Sequence, residues 1–260
     1  MELGLKGKSA IVTGGASNIG KQITLSLAAE GVNVVLADVD QAQAERVATL
    51  AREAGGRVTV AKCDVTRLDD VQAVAELAQK DFGGVDILVN NVGWAEHGLF
   101  LDKSWAGAEK EMAINFWGTL YMSKAVLPGM VERKRGSIIC IASDAGKVGE
   151  VRESVYAAAK AGVQGFVRTL AKEVGRYAIN VNGINPSMTV PDTAEDVGEK
   201  SMQYKRVRPP ELMEKIVKLY PLRRVGRPSD IANLVVFLSS DAASFITGQN
   251  ISVNGGFVTS

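Results

Sequence analysis

The sequence is short of several things, and each shortage excludes a class of protein. Only two cysteines occur in 260 residues, Cys63 and Cys140, both in apolar or strand-like stretches. Two thiols make no disulfide framework, so a reducing, cytoplasmic compartment is expected, with both side chains as core filler. Charge of one sign is also missing: 30 Lys and Arg face 29 Asp and Glu, a formal net charge of +1. A dedicated nucleic-acid binder usually shows a strong basic excess. No uncharged apolar run approaches the ~20 residues of a membrane helix, and the opening MELGLKGKSA has no basic-then-apolar signal pattern. Partners of both kinds, nucleic acid and membrane, are therefore not expected.

What is present is an ordinary globular balance, 46% hydrophobic and 23% charged, in a chain long enough for one well-buried core. Short apolar runs at 9–13, 33–37, 57–63, 85–90, 137–142, 179–184 and 250–255 read as strands. Between them, helical periodicity covers 18–30, 41–54, 67–82, 104–132, 154–176 and 228–239. The strands are apolar on both faces and rich in Val and Ile, as buried parallel strands are. Strand and helix in alternation predict an α/β fold, a doubly wound parallel sheet with helices on both faces. No linker or composition shift divides the chain, so residues 1–260 form one domain. Residues 187–227 break the rhythm after the sixth strand. Such sheets bind ligands beyond the carboxyl ends of their strands, which makes this excursion a candidate lid, with a surface insertion as the alternative.

The stretch AIVTGGASNIGKQ, 10–22, runs from a strand through a Gly-bearing turn into a helix. A turn of this kind lets backbone N–H groups and a helix N-terminus face a pyrophosphate, with Gly14 for the turn and Gly20 for the close helix approach. Asp38 ends the second strand 18 residues past Gly20, near the spacing of a carboxylate that accepts from an adenosine ribose hydroxyl. It would repel a 2′-phosphate, so the expected cofactor is NAD rather than NADP. Asp64, in CDVT, is suited to accept from an adenine amino group. VNNVG sets Asn90, Asn91 and Gly93 after the fourth strand, where either turn geometry or cofactor contact explains them.

SVYAAAKAG places Tyr156 and Lys160 four apart on one helix face, and Ser143 ends the fifth strand ahead of them. A phenol near pKa ~10 is a poor base, but a nearby ammonium and an oxidised nicotinamide both favour its ionised form. Tyr156 would then take the hydroxyl proton while Ser143 orients the substrate oxygen. Packing alone would also explain the pair.

Taken together, TGGASNIG, Asp38, CDVT, NNVG, the IN at 114–115, Ser143, YAAAK, INPS and ITGQNISVNGG resemble the short-chain dehydrogenase/reductase family over essentially the whole chain. The resemblance implies a Rossmann-type sheet of seven parallel strands and catalytic roles for Asn115, Ser143, Tyr156 and Lys160. Asn115 would fix a water linking Lys160 to solvent, and Lys160 would hold the nicotinamide ribose. Ser17, Asn18, Ile19, Val65 and Pro186 would border the cofactor, and Thr189 would bond the nicotinamide carboxamide; no metal is implied. Asn18 stands where family members commonly carry Gly. Asn tolerates left-handed backbone and favours helix N-caps, so Asn18 is expected to keep the turn and cap the helix.

From 200 to 227, nine Lys or Arg stand against Glu211 and Glu214, although 187–199 holds four acids and no base. This basic excess, including Lys200, Lys205, Arg206 and Arg208, suggests a small-molecule substrate with an anionic tail, such as a CoA thioester. NNVGW and IASDAGKVGE also resemble hydroxyacyl-CoA dehydrogenases of alicyclic and aromatic acid breakdown. Trp94, His97, Lys147, Val148, Arg152 and Met188 would line the substrate side. The resemblance further implies a homo-oligomer, a dimer or tetramer, formed through the long helices by faces such as Ala113, Phe116 and Leu120 or Val163, Phe166 and Leu170. The same side chains could instead face the sheet. A 3-oxoacyl-carrier-protein reductase, a sugar or polyol dehydrogenase and a catalytically silent subunit of the same fold are the alternatives; Asp38 speaks against the first, and the complete set of Asn115, Ser143, Tyr156 and Lys160 against the last.

Overall fold

The computed structural model describes residues 2–204 and 208–259. Lys205 and Arg206, two of the cations counted above, lie outside the described residues. Among the described residues seven strands form one parallel sheet in the order β3-β2-β1-β4-β5-β6-β7. They are β1 (Ser9–Thr13), β2 (Asn33–Asp38), β3 (Arg57–Lys62), β4 (Ile87–Asn90), β5 (Gly136–Ile141), β6 (Ile179–Pro186) and β7 (Asn250–Val253). The helices are α1 (Asn18–Ala29), α2 (Gln41–Glu53), α3 (Leu68–Phe82), α4 (Trp105–Met112), α5 (Gly118–Arg133), α6 (Ala145–Val148), α7 (Ser154–Val174), α8 (Pro210–Lys218) and α9 (Pro228–Leu238). This is the doubly wound Rossmann-type fold expected from the sequence. No helix among the described residues is long and apolar enough to cross a membrane.

Strand alternation builds two cores. Val12, Leu36, Val89 and Ile139 point to the face covered by α1, α2 and α9. Their neighbours Ile11, Val35, Leu88 and Ile138 point to the face covered by α3, α5 and α7. Every one of these side chains is withdrawn from solvent, which explains why the strands lack a polar phase. Val163 and Leu170 of α7 belong to that second core, so they face the sheet and not a partner subunit.

Three departures from the periodicity matter. The predicted helix at 104–132 is interrupted by a π-turn, Ala113–Trp117, between α4 and α5. Such turns insert one residue and re-aim the side chains around it, and Asn115 sits at its centre. β6 runs two residues further than its apolar core, to Pro186. Finally, 187–227 is not featureless: it holds α8, which starts at Pro209-Pro210, where proline supplies a helical φ and no N–H is needed.

β1 and β4 are neighbours, but β1 connects onward toward β2 while β4 connects toward β5, so their exits diverge. Into that divergence β1 sends the tight turn. Gly14 has φ +61°, and its N–H donates to Ala37 O at 2.7 Å. A Cβ on Gly20 would lie 1.9 Å from Gly14 O and 2.6 Å from Asn91 Nδ2. Gly20→Ala is therefore expected to cost about 1–3 kcal/mol, measured as a lowered thermal midpoint; an unchanged midpoint would contradict the close approach.

Candidate active site

A crevice of about 840 Å³ opens at the carboxyl ends of the strands. Gly14, Ser17, Asn18, Ile19 and Gly20 line it from the turn, Asp38, Asp64 and Val65 from the β2 and β3 exits, and Asn91 and Gly93 from the β4 exit. Ser143, Tyr156, Lys160, Pro186 and Thr189 line it from the other side of the divergence. The sequence-predicted cofactor and catalytic residues thus border one cavity, save Asn115, which stands just behind Gly93. Two of its lining atoms, Asn18 Oδ1 and Ser187 Oγ, are buried with no hydrogen-bond partner among the described residues. Buried polar atoms left unpaired are costly, and these two suit a hydrogen-bonding ligand.

Asn18 has φ +48°, so it holds the left-handed turn as expected. It does not cap α1: Ser17 occupies the N-cap position, and neither side chain supplies the cap bond. Asn18 adopts a helix-entry position whose geometry turns its amide oxygen inward instead. Asp38 Oδ2 accepts from Ala16 N–H at 3.0 Å, and Oδ1 accepts from Asp40 N–H at 2.9 Å. Burial raises the Asp38 pKa, and those two N–H bonds oppose it only in part. Asp64 Oδ1 accepts from the Thr66 hydroxyl at 2.7 Å. The two asparagines separate: Asn91 Nδ2 donates to Thr13 O and Gly14 O, stapling the turn, whereas Asn90 points into the core toward Ser123 and Cys140. Burial pushes both thiols, Cys63 and Cys140, up to about 12, so they are inert.

Ser143 and Tyr156 meet as expected. Their hydroxyls are hydrogen-bonded, and Gln164 Nε2 donates to Ser143 O at 2.9 Å. Lys160 Nζ lies 5.7 Å from the Tyr156 ring centroid and donates to Ile141 O at 2.8 Å. The protonation balance differs from the sequence reading. Burial pushes the Tyr156 phenol up to about 12, the Glu153 carboxylate adds to this, the Ser143 bond opposes it and Glu111 raises it further. Burial pulls Lys160 down to about 8, and its charge is not what governs the phenol. The groups of the chain alone therefore keep Tyr156 protonated.

Asn115 is fully buried, and its amide is committed to backbone. Oδ1 accepts from Trp94 N–H at 3.1 Å, while Nδ2 donates to Trp94 O at 2.6 Å and Glu111 O at 2.8 Å. A Cβ on Gly93 would lie 3.4 Å from Asn115 Oδ1 and 3.6 Å from Lys160 Nζ, so all three share one corner of the crevice.

The excursion at 187–227 is tied at both ends. Its neck closes where Val190 N–H donates to Gly226 O and Gly226 N–H donates to Met188 O. Its far end reaches the opposite bank: Lys21 pairs with Asp196, Gly198 N–H donates to Ser17 Oγ at 2.9 Å, and Gln43 Nε2 donates to Glu195 O at 3.1 Å. Burial alone would raise the Asp196 pKa, but the bonds from Lys21 and Thr193 outweigh it and lower it.

Two substrate-side expectations need correction. Trp94, His97, Val148 and Met188 do line the crevice, but Lys147 turns away to donate to Ser252 Oγ at 2.9 Å. Arg152 borders a smaller cavity beside Glu96 and His97. Of the cations described in 200–227, Lys200 and Arg208 line the crevice, whereas Arg223 bonds Lys218 O and Arg224 pairs with Asp230. Sequence reasoning also missed Glu153, which pairs with His97 Nδ1 at 3.0 Å, and the buried pair of Lys103 and Glu111. Neither shows a local pattern, because the partners converge only in the fold.

Known proteins share this sequence pattern and fold over nearly the whole chain. A family model described as enoyl-(acyl carrier protein) reductase matches residues 14–258. The 7alpha-hydroxysteroid dehydrogenase of Escherichia coli K12 is 35% identical over 256 residues, 98% of this chain and 96% of its own. A 3-oxoacyl-(acyl-carrier-protein) reductase of Thermotoga maritima is 32% identical over 254 residues, 98% of this chain and 99% of its own. A solved 7 alpha-hydroxysteroid dehydrogenase, complexed with NADH and 7-oxo glycochenodeoxycholic acid, superposes with a TM-score of 0.89 at 34% identity, covering 99% of this chain and 96% of that one.

A carboxylate beside a phenol disfavours its ionisation, so removing it lowers the phenol pKa. In Glu153→Gln the limb on which NAD reduction rises with pH is expected to move to lower pH by about half a unit to one unit. A pH–rate profile checks this; a limb that stays or moves upward refutes the coupling.

Proposed function

The chain belongs to the short-chain dehydrogenase/reductase family, and from that premise we propose that it moves a hydride between a secondary alcohol or ketone and NAD, with Asn115, Ser143, Tyr156 and Lys160 as its catalytic set. One observation carries the reading: Ser143, Tyr156 and Lys160 converge in a crevice whose other bank is a glycine turn with an unpaired buried Asn18 Oδ1. When bound, oxidised nicotinamide supplies the hydride acceptor and a positive charge beside the phenol. Tyr156 takes the proton from the substrate hydroxyl in oxidation and returns it in reduction. Ser143 donates to the substrate oxygen, Lys160 bonds the ribose hydroxyls, and Asn115 holds the backbone at Trp94 against the same corner. On the adenosine side, Gly14, Ser17, Asn18, Ile19 and Gly20 take the pyrophosphate and Asp38 the ribose. Asp64, Val65, Asn91 and Gly93 flank the adenine and its path inward, while Pro186 and Thr189 meet the carboxamide. The Asp38 carboxylate, at the end of β2 and on the crevice lining, supports NAD over NADP, because it would repel a 2′-phosphate.

The substrate end combines Trp94, Val148, Met188 and Leu219 with Lys110 and Arg208. Glu150 and Glu153 stand on the same lining, so Lys110 and Arg208 are the groups that would meet an anionic end of an otherwise apolar skeleton. A hydroxyacyl-CoA meets that description, and so does a bile acid, the class bound by the solved relative. Residues 187–227 act as a lid, with Lys21 and Asp196 as the latch across the crevice. Exposed Leu101, Trp105 and Trp117 support a homo-oligomer.

An absorbance screen for NADH across 7-hydroxy bile acids, hydroxyacyl-CoAs and neutral secondary alcohols tests the substrate class; anionic members are expected to give the higher kcat/KM. Tyr156→Phe should lower kcat by about 10²–10⁴ while NADH still binds, and equal turnover by parent and variant would remove the catalytic assignment. Asp196→Asn should speed NADH release about fivefold in stopped-flow fluorescence; an unchanged release rate would remove the latch.

A further inference from the structure

Two residues leaving β4, Trp94 and Glu96, have both of their backbone polar groups held by side chains. Asn115 does this for Trp94, as described above. Glu96 receives the same treatment from an ion pair: its N–H donates to Glu111 Oε1 at 2.8 Å, and Lys103 Nζ donates to its carbonyl at 2.6 Å. The pair is closed by Lys103 Nζ donating to Glu111 Oε2 at 2.9 Å. The side chains of Lys103 and Glu111 are 2% and 0% exposed. Glu111 precedes Asn115 by four residues, so the carboxylate and the amide come from one face of the helical segment around the π-turn, and Lys103 joins them from the stretch just ahead of α4. Residues 94–96 therefore lie along this face as a strand lies along its neighbour, with side chains standing in for the partner's edge. The start of α4 leaves room for this arrangement, since a Cβ on Gly107 would lie against Glu96 Oε2.

A buried ion pair is a poor way to gain stability, because an apolar pair of similar volume often does as well. What an apolar pair cannot do is hold an N–H and a C=O. The segment so held carries Trp94, Ala95 and His97, which form one wall of the crevice. We propose that Lys103 and Glu111 are positioning residues: acting through Glu96, they fix the substrate wall from Trp94 to His97 against the catalytic corner. The assignment rests on the oxidoreductase reading for its purpose, but not for its structural content. It gives the pair a role that neither contacts substrate nor reduces to filling the core.

The test compares the parent with Lys103→Met/Glu111→Leu and with Glu111→Gln. Amide hydrogen exchange of the unliganded proteins is read at 94–98, together with thermal midpoints and kinetics on the screened alcohol of highest kcat/KM. The double variant is expected to melt within about 3 °C of the parent. It should nevertheless lose protection at 94–98 by about tenfold or more, and on the pH-independent plateau, where the loss of the Glu111 charge near Tyr156 does not enter, KM should rise about tenfold while kcat stays within about threefold. Glu111→Gln still offers an oxygen to Glu96 N–H and should open the same amides by a smaller factor; this variant decides if the double variant does not fold. Parent-like protection at 94–98 with parent-like KM would overturn the proposal, as would exchange rising evenly over the whole chain. If the parent reduces no NAD with any alcohol offered, the oxidoreductase reading fails, and exchange at 94–98 still decides whether the pair positions this wall.

Discussion

β1 and β4 lie side by side, yet the chain leaves them in opposite directions, and the gap between their exits is the constraint on which the rest depends. Backbone groups at the ends of parallel strands cannot find partners in the next strand there, so the gap must be lined by turns. Gly14 and Gly20 close one bank with backbone alone, and Asn91 staples it by donating across to Thr13 O and Gly14 O. The other bank is built from the ends of β5 and β6 and from α7. Hydride transfer demands such an arrangement: a cofactor laid along one bank, with a proton-moving group on the other.

Electrostatics across the crevice follow from burial more than from charge pairing. Tyr156 and Lys160 are both withdrawn from water, and burial moves each toward its neutral form, the phenol up to about 12 and the ammonium down to about 8. The protein thus holds a neutral phenol until further positive charge arrives beside it. In the proposed reaction a protonated phenol is the form that returns a proton to a carbonyl, and an oxidised nicotinamide would bring the positive charge that favours its ionisation.

The segment at 187–227 and the segment at 94–97 border the same crevice by opposite means. The first is a long excursion tied at its neck by backbone bonds and across the crevice by the partly buried pair of Lys21 and Asp196. The second is held at two alternate residues, Trp94 and Glu96, by Asn115 of the π-turn, Glu111 of α4 and Lys103 just ahead of α4.

Much of this was legible in the chain alone. The apolar strands, the glycine turn, Asp38 and the Tyr156–Lys160 spacing are local patterns, dictated by backbone geometry and helical periodicity, and the structure brings them to one cavity. The cap expected of Asn18 failed because a helix start can be left-handed and still leave its side chain pointing inward. Lys147 and Arg152 lie off the crevice, and Arg223 and Arg224 bond elsewhere while Lys200 and Arg208 line it, because a charge count carries no direction. The grip on Glu96, the pairing of Glu153 with His97 and the tie from Lys21 to Asp196 were decided by tertiary structure alone. Each joins residues whose side chains become neighbours only after helices pack on the sheet, and burial, which sets what such contacts are worth, exists only in the folded chain.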